Sequence, residues 1–189
     1  MRIFVAIELL DDIRAAVADA QERLRRARGD VSWTRVENLH LTLQFLGNVE
    51  ETSEIRQALE GVAGRCAPFD LTVAGVGAFP SAKRARVLWV GCQNVPGNLV
   101  LDLHASLQPL GFEPEHREFS AHVTLGRVNQ PRPDAALTRG LDSIKNHTFG
   151  AMRVEAIHLF QSQLHPEGSI YSKLSSHELT GDSHHAAKS

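Results

Sequence analysis

Several common signposts are missing from this chain. It has only two cysteines in 189 residues, Cys66 and Cys92. They are far apart and form no C-x-x-C pair, so they read as two reduced thiols of a cytoplasmic protein rather than as a disulfide framework. No apolar run approaches the ~20 residues needed to cross a membrane. The opening "MRIFVAIEL" has neither a long apolar stretch nor a small-residue cleavage site, so it reads as a first strand and not as a signal. Neither sign of charge dominates: 20 Lys and Arg against 22 Asp and Glu leave a net −2. That argues against a protein that coats long nucleic acid by counterion release, while one local anion site stays open. Gly75, Gly77 and Gly91 do not form a phosphate-cradling loop, so ATP-driven chemistry has no support.

What is present is an ordinary apolar fraction, 42%, enough to build a core without metal or disulfide staples. "RIFVAIE", "VSWTRV", "HLTLQFL", "FDLTVAGVGAF", "RVLWVGC", "FSAHVTLGRV", "MRVEAIHLFQSQL" and "SIYSKLSSHEL" have the β-branched and aromatic content of strands. Helical spacing appears in residues 11–29, with Gly29 as the stop, and in 51–66, with Thr52 or Ser53 as the cap. It appears again in 98–111, where Pro109 must bend or end the last turn. The expected class is α+β. Two mostly antiparallel sheets, with helices on their outer faces, form a bilobal pseudo-twofold arrangement. Residues 1–180 form one such unit and 181–189 a polar, frayed tail.

The informative feature is a repeat: "HLTL" from His40 and "HVTL" from His122, one in each half. At this composition, two chance occurrences have odds on the order of one in a thousand. On a strand, residues i and i+2 share a face. His40 therefore lies beside Thr42 and His122 beside Thr124, with leucine and valine turned to the core. An imidazole next to a hydroxyl suits a tetrahedral anion, the first moving a proton and the second donating to a phosphate oxygen. Two such couples facing each other would hold a phosphodiester between a base and an acid. No metal or other cofactor is needed, and H-x-T is poor metal-ligand spacing.

These motifs and their flanks, "WTRVENLHLTLQFLGNV", "GAFPS…RVLWVG", "FSAHVTLGRV" and "LFQSQLHPEGSIYSKL", resemble the two-histidine (2H) phosphoesterases. Among these the likeness is to the RNA 2′,3′-cyclic phosphodiesterases, also called 2′-5′ RNA ligases. The resemblance implies metal-free opening of a ribonucleoside 2′,3′-cyclic phosphate to a 2′-phosphate in a groove on the pseudo-twofold axis. It implies His40 and His122 as catalytic residues and Thr42, Thr124 and Arg127 as phosphate-binding ones. Strict alternation puts Arg127 on the opposite face, unless Gly126 admits a bulge that turns it back.

Phe45 falls on the core side if its strand is regular and is a base-stacking platform otherwise; Tyr171 borders the groove, and Phe4, Phe79 and Phe160 read as core. Arg86, with Lys83 and Arg84, sits in a loop suited to RNA phosphates or to solvent. Arg23, Arg25, Arg26 and Arg28 complement the end of the first helix. The tail pair His184 and His185 and the other six histidines share no ligand or catalytic spacing. The expected partners are RNA ends or nucleotides carrying a cyclic phosphate, tRNA fragments among them, met by a monomer with no membrane attachment. Three rival readings remain: the same chemistry reversed to join tRNA halves, an RNA-end binding module without turnover, and a metal-dependent phosphoesterase.

Overall fold

A computed structural model describes residues 1–27 and 30–183. The expectations for Arg28, Gly29, His184, His185 and the rest of 184–189 lie outside the described residues. The first strand, β1 (Arg2–Glu8), leads into helix α1 (Asp11–Ala27), which buries Ile13, Val17, Ala20 and Leu24. Short β2 (Val31–Trp33) and β3 (His40–Asn48) follow, then α2 (Ser53–Arg65). Thr52 is the N-cap residue of α2, as expected, but its side chain makes no capping bond. Thr52 is buried and its hydroxyl accepts from Arg56 Nε, so the first amides are capped by Glu51, whose Oε1 accepts from the Thr52 and Ser53 N–H groups.

Strands β4 (Phe69–Phe79) and β5 (Val87–Gln93) precede α3 (Gly97–Leu107), whose end tightens into a 3-10 turn over Gln108–Leu110 containing Pro109. Gly111 stops it at φ +92°, a left-handed position that favours glycine. Then come β6 (His122–Val128), α4 (Ala135–Ile144), β7 (Thr148–Val154), β8 (Ala156–His165) and β9 (Gly168–Glu178). Asp134 caps α4 through the Leu137 N–H. "MRVEAIHLFQSQL" is thus two strands broken at Glu155, since β7 pairs with β4 and β8 with β1.

The fold is α+β, and the strands of both halves run continuously in the order β7-β4-β5-β6-β3-β1-β8-β9, with β2 added beside β6. All the pairings are antiparallel. Since β7 and β8 are joined by one residue yet stand far apart in this order, the sheet must curl strongly. The two halves meet at β3 and β6 through the pair Leu41 and Val123. One face carries the helices: Ile3, Val5 and Ile7 pack in a large core with Ile13, Val17, Leu24, Leu99 and Leu103. On the other face, Phe4 and Ala6 join Phe160 and Tyr171 in a small separate cluster. That concave face is where the alternate residues of the central strands emerge. At the C-terminal end, the Thr180 and Gly181 N–H groups bond the Ala63 and Cys66 carbonyls, which ties the start of the expected tail to α2.

Candidate active site

The pairing of Leu41 with Val123 fixes the geometry of the two motifs. In an antiparallel pair, the neighbours of this couple lie opposite each other on the other face, so His40 faces Thr124 and Thr42 faces His122. The two imidazoles are then diagonal neighbours, with side chains rooted roughly 7 Å apart, a spacing one phosphate can bridge. All four residues are half-buried, while Leu41, Leu43, Val123 and Leu125 are buried behind them.

The two strands repeat more than the motif. From His40 to Leu46 and from His122 to Val128 the residues run half-buried, buried, half-buried, buried, buried, exposed, buried. Two consecutive buried residues break strict alternation at the same place in each. On β6 the register steps from Thr124–Trp89 to Gly126–Leu88, leaving Leu125 as an extra residue. On β3 it steps from Thr42–Ala6 to Gln44–Val5, leaving Leu43. A bulge of this kind reverses the faces of everything beyond it. Arg127 therefore returns to the face of His122 and Thr124, as the bulge at Gly126 would require. Phe45 returns to the face of His40 and Thr42, where it is 54% exposed. The expectation of a core Phe45 under a regular strand is therefore wrong, because the strand is not regular. Phe45 and Arg127 occupy pseudo-equivalent positions.

The bulge in β6 is held from behind. The displaced Leu125 carbonyl accepts from Thr34 N at 2.9 Å and from Gln21 Nε2 at 2.8 Å, and the same Nε2 reaches the Thr34 carbonyl. Gln21 is itself buried in α1. Gly126 is needed because β2 lies against it: a Cβ there would stand 2.8 Å from Val31 Cγ1 and 3.0 Å from the Ser32 carbonyl oxygen.

Each imidazole is oriented by the backbone two residues before it. His40 Nδ1 lies 2.6 Å from the Asn38 carbonyl and His122 Nδ1 2.6 Å from the Ser120 carbonyl. A carbonyl only accepts, so Nδ1 carries the proton in both and Nε2 faces the trough. His40 Nε2 is 2.7 Å from the Thr42 hydroxyl, whereas no described residue bonds His122 Nε2. Aromatic rings wall both: Phe4 and Tyr171 stand 4.9 and 5.3 Å from His40, and Phe79 stands edge-on 5.0 Å from His122. Phe45 reaches Phe4 at 5.9 Å. Phe4 and Phe160 are buried as expected, yet they line the concave face and not the main core. The roles of Asn38, Ser120, Phe4 and Phe79 went unread in the sequence; the signal for the first two was the i−2 position before each motif.

Burial lowers the basicity of both histidines. The Asn38 carbonyl opposes this at His40, and His122 adds to it from across the trough. At His122 the Ser120 carbonyl opposes it, while Arg117 and Arg127 favour the neutral ring and Glu115 the charged one. Two guanidinium groups thus act on the charge of His122, and none is among the groups acting on His40. Burial also raises the Tyr171 phenol, against the pull of Arg2 and Arg127. Arg127 is exposed and makes no ion pair with a described residue. Arg86 is exposed, and its carbonyl accepts from Val128 N, the residue after Arg127, at 2.9 Å. Among the described residues there is no group of three or more His, Cys, Asp or Glu placed to hold a metal ion, and no helix long and apolar enough to cross a membrane. Cys66 and Cys92 are both buried free thiols, and burial pushes Cys92 up to about 12.

A curled antiparallel sheet with two mirrored His-Thr couples across its centre defines a phosphoesterase of the two-histidine class. The comparisons narrow this. The LigT-like phosphoesterase family matches residues 7–89 and 94–171, and the chain belongs to that family. It is 34% identical to an RNA 2′,3′-cyclic phosphodiesterase of Methanothermobacter thermautotrophicus, over 92% of this chain and 96% of the relative. To the protein of that description from Archaeoglobus fulgidus it is 37% identical, over 92% and 98%. Among solved structures, a Thermus thermophilus protein superposes with a TM-score of 0.81 at 28% identity, covering 96% of this chain and 100% of that one. Escherichia coli LigT in complex with 3′-AMP superposes with a TM-score of 0.70 at 26% identity, covering 95% and 98%.

Proposed function

We propose that this protein opens the 2′,3′-cyclic phosphate of an RNA or nucleotide end to a 2′-phosphate, without a metal. The observation that carries the reading is the pairing of Leu41 with Val123, which sets both couples on one face within reach of one phosphorus. His122 Nε2, unbonded and biased toward the neutral form by burial and then by Arg117 and Arg127, takes a proton from water as the oxygen attacks phosphorus. The bond to the 3′ oxygen breaks, and that oxygen takes the proton from His40 Nε2. Burial and then His122 lower the pKa of His40, but no arginine or lysine is among the groups acting on it, and an arriving phosphate anion favours its charged form. Thr42, Thr124 and Arg127 hold the non-bridging oxygens, whose charge grows in the transition state. The exposed Phe45 ring and Tyr171 offer the base a stacking surface, and Arg86 adds to the positive potential near Arg127.

Names of the archaeal relatives support RNA as the substrate class, and the 3′-AMP complex of LigT supports a nucleotide fit. Both couples come from one chain, so a monomer is a complete working unit. tRNA fragments with cyclic ends are among the substrates it would meet, and its reduced thiols suit the cytoplasm. The test is phosphorus NMR of the product from a nucleoside 2′,3′-cyclic phosphate in excess EDTA. A 2′-phosphate is expected. A 3′-phosphate, or loss of turnover on chelation, refutes the scheme, and binding without turnover means a recognition module.

A further inference from the structure

The wall of the His40 half continues past Tyr171 into a recess of about 410 Å³ that also touches Phe4 and His40. Three cations and two carboxylates line it: Arg14, Arg35 and Lys173, with Glu8 and Glu37. The carboxylates are already engaged, Glu8 with Lys173 Nζ at 2.8 Å and Glu37 with Arg35 Nε at 2.7 Å. This leaves the outer nitrogens of Arg35 free, on a side chain still 45% exposed. Arg14 places Nη1 on Asp11 and Nη2 on the Leu9 carbonyl, while its Nε is buried without any partner. An unpaired buried donor is rare enough to need a reason. The recess is fastened rather than incidental: Asn38, whose carbonyl orients His40, donates its Nδ2 to the Ser169 carbonyl at 2.7 Å. This joins the turn before β3 to the start of β9.

We infer that this recess is a subsite for the nucleotide on the 5′ side of the cyclic-phosphate end, so that the protein distinguishes an RNA terminus from a mononucleotide. The inference rests on the proposed role of His40. The ribose bearing the departing oxygen must lie on the side of the acid that protonates it, and the chain leads away from that ribose through its 5′ carbon. The recess opens on that side, lined by His40 and Tyr171. Its fringe of paired charges suits an occupant with both kinds of group, a phosphate for Arg35 and base or ribose N–H and O–H donors for Glu8 and Glu37.

The experiment compares kcat/KM for cytidine 2′,3′-cyclic phosphate with that for a cytidine dinucleotide ending in the same group, in the intact protein and in Arg35→Ala. The dinucleotide should be favoured about tenfold or more, the scale of one charge-assisted hydrogen bond. Arg35→Ala should remove most of that preference and leave the mononucleotide rate unchanged. Equal efficiency on both substrates in the intact protein overturns the subsite and spares the catalytic reading. So does a preference that survives Arg35→Ala. Hydrolysis of neither substrate overturns both.

Discussion

Replacing Arg127 by alanine separates the roles of the two histidines in one measurement. The side chain is exposed and pairs with no described carboxylate, so its loss should change folding stability by no more than about 0.5 kcal/mol. Its catalytic cost is larger. A hydrogen bond to a charged group contributes roughly 1.5–3 kcal/mol, which predicts a fall in kcat/KM of roughly ten- to 150-fold. The pH dependence carries the sharper signature. Arg127 holds His122 toward its neutral form and is not among the groups acting on His40. Without it the His122 pKa rises. If His122 is the base, the acidic limb of the kcat/KM profile must move to higher pH while the alkaline limb, set by His40, stays in place. If the roles are reversed, the alkaline limb moves instead. The assay is initial-rate hydrolysis of a nucleoside 2′,3′-cyclic phosphate from pH 4.5 to 9 at constant ionic strength. A uniformly lowered profile with neither limb displaced would refute the electrostatic argument, and an unchanged kcat/KM would remove Arg127 from the phosphate site.

Four further outcomes are expected. His40→Ala and His122→Ala should each abolish most turnover and the double variant should be scarcely worse, since the residues act as a unit; near-normal activity in either single variant ends the two-histidine reading. Phe45→Ala should raise KM severalfold with little change in melting temperature, because the ring is exposed; a large fall in stability would return it to the core. Gln21→Leu strands the Thr34 carbonyl and leaves the Leu125 carbonyl with the Thr34 N–H alone, and should lower stability by about 1–3 kcal/mol and depress kcat/KM by loosening the bulge that aims Arg127; thermal melting and kinetics together test this. Burial lowers the pKa of His40, His122 and His158. The unfolded chain therefore binds protons that the folded one refuses, and stability should fall as pH drops below about 6.5; a flat melting temperature between pH 7 and 5 would contradict it.

The chemistry was legible in the sequence because it depends on a period of two. His40 with Thr42 and His122 with Thr124 needed only the strand reading, and the fold class needed only the alternation of strand and helix signals. The rest depended on breaks in that period or on contacts distant in sequence. Nothing in "HLTLQFL" announces that Leu43 is an extra residue, so alternation sent Phe45 to the wrong face. Gly126 hinted at the matching bulge in β6, but the amide that secures it belongs to Gln21, 104 residues before Leu125. The bond from Asn38 to Ser169 spans 131 residues, which no local pattern encodes. Glu155 gave no turn signal because the chain changes strand partners there without needing a loop.

The matched bulges of β3 and β6 have a last consequence. A cleft built from two identical couples would be a palindrome, unable to tell the head of its ligand from the tail. By ending one arm in an arene and the other in a guanidinium, the chain gives that palindrome a polarity. Exchanging those two side chains would ask the cleft to read its ligand backwards.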